Sequence, residues 1–162
     1  MKKAIKILDD HASKPERGLP DEIFLFISRK TPMINVDLLV KDEKGRVLLA
    51  WRDDKYSGAG WHVPGGIIRY KERIEKRIKE VARLEIGTSV QFERTPLAIN
   101  QFILKQKERA HFISLLYNCF LEGNFKPANK GLKPGDGGYL KWHRTPPANL
   151  IKVHDVYRKY MP

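Results

Sequence analysis

Only one cysteine, Cys119, occurs in a chain of 162 residues. That excludes an internal disulfide, a Cys-x-x-Cys redox pair and a zinc knuckle, and it predicts a cytoplasmic setting. Long apolar runs are also missing. The longest largely apolar stretches, Ile23 to Ile27 and Val36 to Val40, fall far below the roughly 18 residues of a membrane-spanning helix. Met1 to Asp10 carries lysines but no apolar segment of signal-peptide length, so no targeting signal is expected. Carboxylates are scarce: 19 Asp+Glu face 31 Lys+Arg, for a formal charge of +12. The basic residues are interrupted by acids instead of forming one block, so the charge fits either nucleic acid or a phosphorylated small molecule. What is present is ordinary globular material. Hydrophobic residues make up 41%, with three Trp, six Tyr and seven Phe spread along the chain, enough for a core without metal or disulfide staples.

The pattern along the chain predicts a polar arm over residues 1–20, with one short helical turn, and a single domain over residues 21–162. Glu22 to Ser28 reads as a first strand, broken by Thr31-Pro32. Ile34 to Val40 and Arg46 to Trp51 flank the turn Lys41-Asp42-Glu43-Lys44-Gly45, a hairpin signal. A Gly, Ser and Asp-rich loop, Asp53 to Gly60, leads into Trp61-His62-Val63-Pro64-Gly65-Gly66. Tyr70 to Ile86 holds neither Gly nor Pro and reads as the long helix, with Gly87 at its C-terminal cap. Strands are expected around Val90 to Arg94, Leu97 to Leu104 and His111 to Leu121. After the Gly, Pro and Asn-rich stretch Gly123 to Gly138 come a strand, Tyr139 to Arg144, and a terminal helix, Val153 to Tyr160. Strands, a long helix, strands and a closing helix predict an α+β fold, an α/β/α sandwich.

The long helix carries a carboxylate on its apolar side. At roughly 100° per residue, Ile74, Ile78, Val81, Leu84 and Glu85 share one half of the helix, while Glu72, Arg73, Lys76, Lys79, Glu80 and Arg83 occupy a solvated half. A carboxylate facing the body must be neutralised, paired or bound to a metal. Gly65 and Gly66, just before this helix, let backbone groups approach a phosphate or its metal. Glu85 and a glycine carbonyl therefore form a candidate Mg²⁺ site, since this ion accepts one or two carboxylates alongside substrate oxygens and water. Arg52 ends a strand next to the Asp53–Gly60 loop, a place where a guanidinium can take a phosphate bidentately. His62 lies beside the glycines as a packing or substrate-contacting residue, and Asp37 is an isolated carboxylate in an apolar strand.

At Gly66, Glu72, Glu85 and Gly87 the spacing resembles the Nudix hydrolase box, in which a Gly, five residues, a Glu and seven residues precede Arg-Glu-aliphatic-x-Glu-Glu-x-Gly. Glu80 stands where the pattern has Arg, and Val81 and Leu84 replace two metal-binding glutamates. A branch reduced in the same way is the GDP-mannose mannosyl hydrolases. The chain is similar to them at Thr31-Pro32, Asp37, Gly45, Leu48-Leu49, Arg52, Trp61-x-Val63-Pro64-Gly65-Gly66, Glu85-x-Gly87 and Val153-His154. The resemblance implies a Nudix fold with a mixed central sheet between the Nudix helix and a C-terminal helix. It also implies a homodimer, Mg²⁺ held by Gly65 and Glu85, and hydrolysis at the anomeric carbon of a nucleoside diphosphate sugar. By the same resemblance Asp37 supports the sugar or base, and Gly66 and Arg52 meet the diphosphate. Ile67 and Glu80 stand where the relatives carry two arginines. Where they carry an adjacent metal-binding Gln and catalytic His, this chain has Asp136 and Gly137; Asp136 would then be a metal ligand or the base, or only a turn residue.

Two functions follow. The first is a Mg²⁺-dependent nucleotide-sugar hydrolase, cleaving at carbon or at phosphorus. The second is a Nudix-fold nucleotide- or RNA-binding protein without catalysis, stacking bases on Trp51, Trp61 or Phe102. Nucleic acid is the less favoured partner, because part of the +12 arises from carboxylates replaced by Val81 and Leu84.

Overall fold

The computed structural model describes all 162 residues and contains no helix long and apolar enough to cross a membrane. Its centre is a mixed eight-stranded sheet. The strands are β1 (Met33–Lys41), β2 (Val47–Asp54), β3 (Gly58–His62), β4 (Gly65–Ile67), β5 (Gln91–Phe92), β6 (Ala98–Ile103), β7 (His111–Phe120) and β8 (Leu140–His143). The order β3-β2-β1-β7-β5 is extended by β4 on β1, β6 on β7 and β8 on β2. β1 and β7 run parallel from Met33↔Phe112 to Lys41↔Phe120, the only parallel pairing between strands. A parallel central strand is covered on both faces, and Val36, Leu38, Leu39 and Val40 are fully buried.

Two apolar layers result, one on each face of the sheet. Val36, Leu38 and Val40 pack with Ile78, Val81 and Ile86 of the long helix; Leu39, Leu49 and Leu116 pack with Leu150 and Tyr157 of the C-terminal segment. This is the α+β sandwich expected from the sequence. The closing helix is a 3₁₀ helix over Lys152–Tyr160.

Several local expectations are corrected. Glu22–Ser28 is not a strand but helix α2 (Asp21–Ser28). A short apolar run does not distinguish the two by itself; here Asp21 and Glu22 in the first turn suit a helix N-terminus. The arm holds a ten-residue helix, α1 (Lys2–His11), every residue of which is exposed. The β1–β2 hairpin pairs only at Lys41↔Val47 before the strands diverge to other partners.

The long helix begins later than predicted, as α3 (Ile74–Val81), and ends in a π turn, Ala82–Ile86, closed by Gly87 at φ 83° donating to the Ala82 carbonyl. Its delayed start follows from Lys71 at φ 56° and from Glu72 turning inward. The Glu72 carboxylate accepts from the Arg69 amide (3.0 Å) and from Arg77 Nε (2.8 Å), and both partners of the Glu72–Arg77 pair are nearly buried. Glu72 is thus inside, not on the solvated half. Leu84, expected inside, is 59% exposed, because the π turn breaks the regular 3.6-residue period at that point.

Gly66 permits α3 to lie directly on β4. A Cβ there would come within 2.8 Å of Val81 Cγ2. Gly66→Ala is therefore expected to cost about 1–3 kcal/mol of stability by overpacking. Gly137→Ala, with nothing within 4 Å of an added Cβ, is expected to stay within about 0.5 kcal/mol. Urea midpoints of the two variants measure the difference.

Candidate functional site

Glu85 sits on the π turn, at the C-terminal end of the helix that crosses β4. Its Oε2 accepts from the Gly65 amide at 3.3 Å and lies 3.7 Å from His62 Nε2. Strand register explains why Gly65 is available. Ladder bonds Ile68 N–H to Ile34 O and Leu38 N–H to Pro64 O flank the Asp37↔Gly65 pair. Residues in an antiparallel ladder alternate between bonded and non-bonded pairs, so Gly65 turns its N–H and C=O away from β1, toward Glu85. One carboxylate and one glycine carbonyl on the same side suit a hard cation that takes its remaining oxygens from water and substrate. No three His, Cys, Asp or Glu side chains gather anywhere as a metal cage. The donor set fits an ion shared with a phosphate, not one enclosed by protein.

Asp37 forms the floor. Its Oδ2 accepts from Tyr157 Oη (2.5 Å) and Ser114 Oγ (2.6 Å), and its Oδ1 from Asn35 Nδ2 (2.9 Å). Burial pushes its carboxyl up from the usual range, against these three hydrogen bonds and the neighbouring His62. The Tyr157 phenol is pushed up as well, by burial and then by the Asp37 charge. A Cβ on Gly65 would overlap Asp37 Oδ1, so only glycine fits above this carboxylate. Asp37, expected to support sugar or base, has both oxygens engaged by the protein itself.

His154 is buried, and its Nδ1 accepts from the Val63 amide at 3.0 Å. The neutral ring therefore carries its proton on Nε2. Burial, then the charges of His62 and Arg52, hold it well below the usual imidazole range.

Two cavities meet at Arg52 and His62, which line both. One, of about 590 Å³, is bordered by Glu85, Gly87, Asp53 and the Gly137–Gly138 backbone, within the size range of small-molecule sites. The other, of about 100 Å³, lies over Asp37, Gly65 and Gly66 and is closed by Tyr56 and Arg109. Gly65, Gly66, Glu85, His62, Arg52 and Asp37 are thus brought together. Asp136 is not among them: it is exposed, lines neither cavity, and its Oδ2 accepts from the Lys133 amide at 2.7 Å in the turn its neighbours predict. Trp61 is buried in the core, edge-on to Trp51 at 5.2 Å, and offers no platform to a base. Sequence reasoning missed Ser114, Tyr157 and Arg109. The first two look like ordinary strand and helix residues, and Arg109 is hidden in the charged run Lys105 to Arg109.

Because His154 stays neutral in the folded protein while an exposed imidazole takes up a proton near pH 6.5, acid favours the unfolded chain. The stabilisation is present above that pH and is lost as pH falls below it. Between pH 7 and 5.5 the loss from this residue is expected to be about 1 kcal/mol. His143, held down to about 4 by burial and then by Lys141, acts in the same direction. Urea titrations at the two pH values should show the loss, and His154→Asn, which keeps an acceptor for the Val63 amide, should reduce it.

Comparison with known proteins places this geometry. The NUDIX domain profile matches residues 31–162. The chain is 26% identical over 148 residues to the low-salt glycan biosynthesis protein Agl8 of Haloferax volcanii, covering 81% of this chain and 94% of that one. Among solved structures, the MutT NUDIX hydrolase of Burkholderia pseudomallei superposes with a TM-score of 0.63 at 20% identity, covering 80% of this chain and 98% of that one. A possible asymmetric diadenosine tetraphosphate hydrolase of Jonesia denitrificans gives 0.59 at 19% identity, with 78% and 90% covered. At these identities the structures establish the fold.

Proposed function

Since the chain belongs to the Nudix domain family, we propose that it hydrolyses a nucleoside diphosphate sugar, of the GDP-mannose kind, with a bound Mg²⁺. The observation that carries this reading is the single carboxylate of Glu85 beside Gly65, at a cleft that Arg52 also lines. The name of the Haloferax volcanii relative, a glycan biosynthesis protein, is consistent with a sugar nucleotide.

Glu85 and the Gly65 carbonyl would hold the metal, which when bound neutralises charge on the diphosphate. Arg52 and the Gly66 backbone hold the phosphates, and His62 packs against Glu85 at the junction of the two cavities. Asp37 keeps the floor beneath Gly65 in place. With one carboxylate instead of a cluster, the site is equipped chiefly to stabilise a departing diphosphate. That favours attack by water at the anomeric carbon: the carbon–oxygen bond to the β-phosphate breaks, its electron pair stays on the phosphate oxygen, and the water's proton passes to solvent. Asp136, held in its own turn, takes no part in this reading.

Incubating the protein with Mg²⁺ and a panel of GDP- and UDP-sugars tests it. Nucleoside diphosphate plus free sugar is the expected product pair. Nucleoside monophosphate plus sugar phosphate would move the attack to phosphorus. Glu85→Gln should lower turnover by at least about 100-fold while leaving the urea midpoint near that of the parent. No turnover of any sugar, together with Mg²⁺ binding indifferent to Glu85→Gln, would remove the enzymatic reading.

A further inference from the structure

Arg109 is a half-buried arginine with no carboxylate partner, an arrangement that needs a reason. Its nearest acid in sequence, Glu108, is paired to Arg29 at 2.5 Å. Asp54, whose charge also acts on Arg109, is already occupied: its Oδ1 accepts from the Tyr56 and Ser57 amides, both at 2.8 Å, and its Oδ2 faces Arg52 Nε at 3.3 Å. The guanidinium of Arg109 instead lies between two rings, 4.9 Å from the centroid of Tyr56 and 5.8 Å from that of Phe24. Burial, then the charge of Arg52, draws its pKa down. Two guanidiniums thus border one small cavity whose only lining carboxylate, Asp37, already has both oxygens engaged by Tyr157, Ser114 and Asn35.

The residue is also held firmly. Its backbone is in the left-handed region, at φ 51°, a conformation that costs a side-chain-bearing residue energy and persists only where its surroundings impose it. Ser28 Oγ accepts from the Arg109 amide at 3.1 Å, and Gln106 Nε2 donates to the Arg109 carbonyl at 2.9 Å. With the Arg29–Glu108 pair and the Phe24 and Tyr56 rings, three of the five restraints come from α2 and its C-terminal neighbour, residues 24–29, which precede the segment matched by the NUDIX profile.

We propose that Arg109 is a substrate-binding residue, the second cation on the diphosphate, and that α2 positions it. The cavity it closes also borders Arg52, Gly65 and Gly66, and has room for several waters or one phosphoryl group. A phosphate there lies between two guanidinium forks, each able to take it bidentately. Arg109 thereby supplies from the β6–β7 loop a cation absent from positions 67 and 80, where Ile67 and Glu80 stand. The proposal rests on the nucleotide-sugar reading for its ligand, but its test does not require turnover.

Calorimetric binding of GDP and of pyrophosphate in EDTA, where no metal contributes, is compared for the parent, Arg109→Gln, Arg109→Lys and Arg158→Gln. Arg158, paired at the surface with Asp155, controls for loss of one positive charge. Arg109→Gln is expected to weaken binding about tenfold or more, Arg109→Lys less, and Arg158→Gln not at all, with unchanged urea midpoints confirming folding. Ser28→Ala should weaken binding about threefold with Arg109 intact; unaltered affinity would take α2 out of the proposal. Affinity of Arg109→Gln within twofold of the parent, or an equal loss in Arg158→Gln, overturns it even if the parent hydrolyses sugar nucleotides. Arg109-dependent binding without hydrolysis of any substrate leaves the proposal standing and overturns the hydrolase reading. A parent that binds neither probe overturns the proposal as well, while the Mg²⁺-dependent hydrolase reading stands or falls by its own turnover test.

Discussion

The contact between the Asp37 carboxylate and the backbone of Gly65 is the constraint on which the site depends. Asp37 lies in the most deeply buried strand of the protein, where an isolated carboxylate is costly unless its oxygens are satisfied. Asn35, Ser114 and Tyr157 satisfy them, drawing together the first strand, its parallel partner β7 and the C-terminal 3₁₀ helix. The residue above must be glycine, because a Cβ there would overlap the Asp37 carboxylate. The pairing register then turns the Gly65 amide and carbonyl outward to Glu85. A buried hydrogen-bond network thereby lies directly beneath the backbone group that the proposed metal site would use.

A second set of contacts works at the other end of the strand pair. Glu72 and Arg77 form a nearly buried ion pair between the start of α3 and the loop before it, and Gly66 lets that helix descend onto β4. Removing one partner of such a pair strands the other charge. The helix is therefore held at its N-terminal end by electrostatics and along its length by Ile78, Val81 and Ile86. Its last turn is freed from regular geometry, and there Glu85 reaches the cleft. The π turn permits an inward carboxylate at a position where Leu84, its neighbour, is left at the surface.

The net charge of +12 also reads differently in three dimensions. Some of the excess reflects Val81 and Leu84 standing where the Nudix box pattern has glutamates, which leaves Glu85 as the one carboxylate of the proposed metal site. Some of it is concentrated at the cavity, where Arg109 has no carboxylate partner of its own and Arg52 pairs with Asp54. Burial acts to raise that carboxyl, but the Ser57 and Tyr56 amides and the two arginines bring it below the usual range. Positive charge confined to a cavity favours a small anion over the backbone of a nucleic acid, which needs an open basic surface.

The sequence by itself determined the fold class, most strand positions, and the convergence of Gly65, Gly66 and Glu85, because these depend on apolar periodicity and on glycine spacing around one helix. It reads as a strand over Glu22–Ser28, since the five-residue apolar run Ile23 to Ile27 is compatible with either element until its packing partners are known. It placed Glu72 outside and Leu84 inside, since a regular wheel contains neither an inward ion pair nor a π turn. Asp136 was drawn in by alignment to a pattern, whereas its amide partner is three residues away in its own turn. Only the tertiary structure decided that Asp37 is satisfied by Ser114 and Tyr157, 77 and 120 residues distant, and that Arg109 faces Arg52. Such long-range pairs leave no local periodicity, so they exist for the chain only once β1 and β7 have joined.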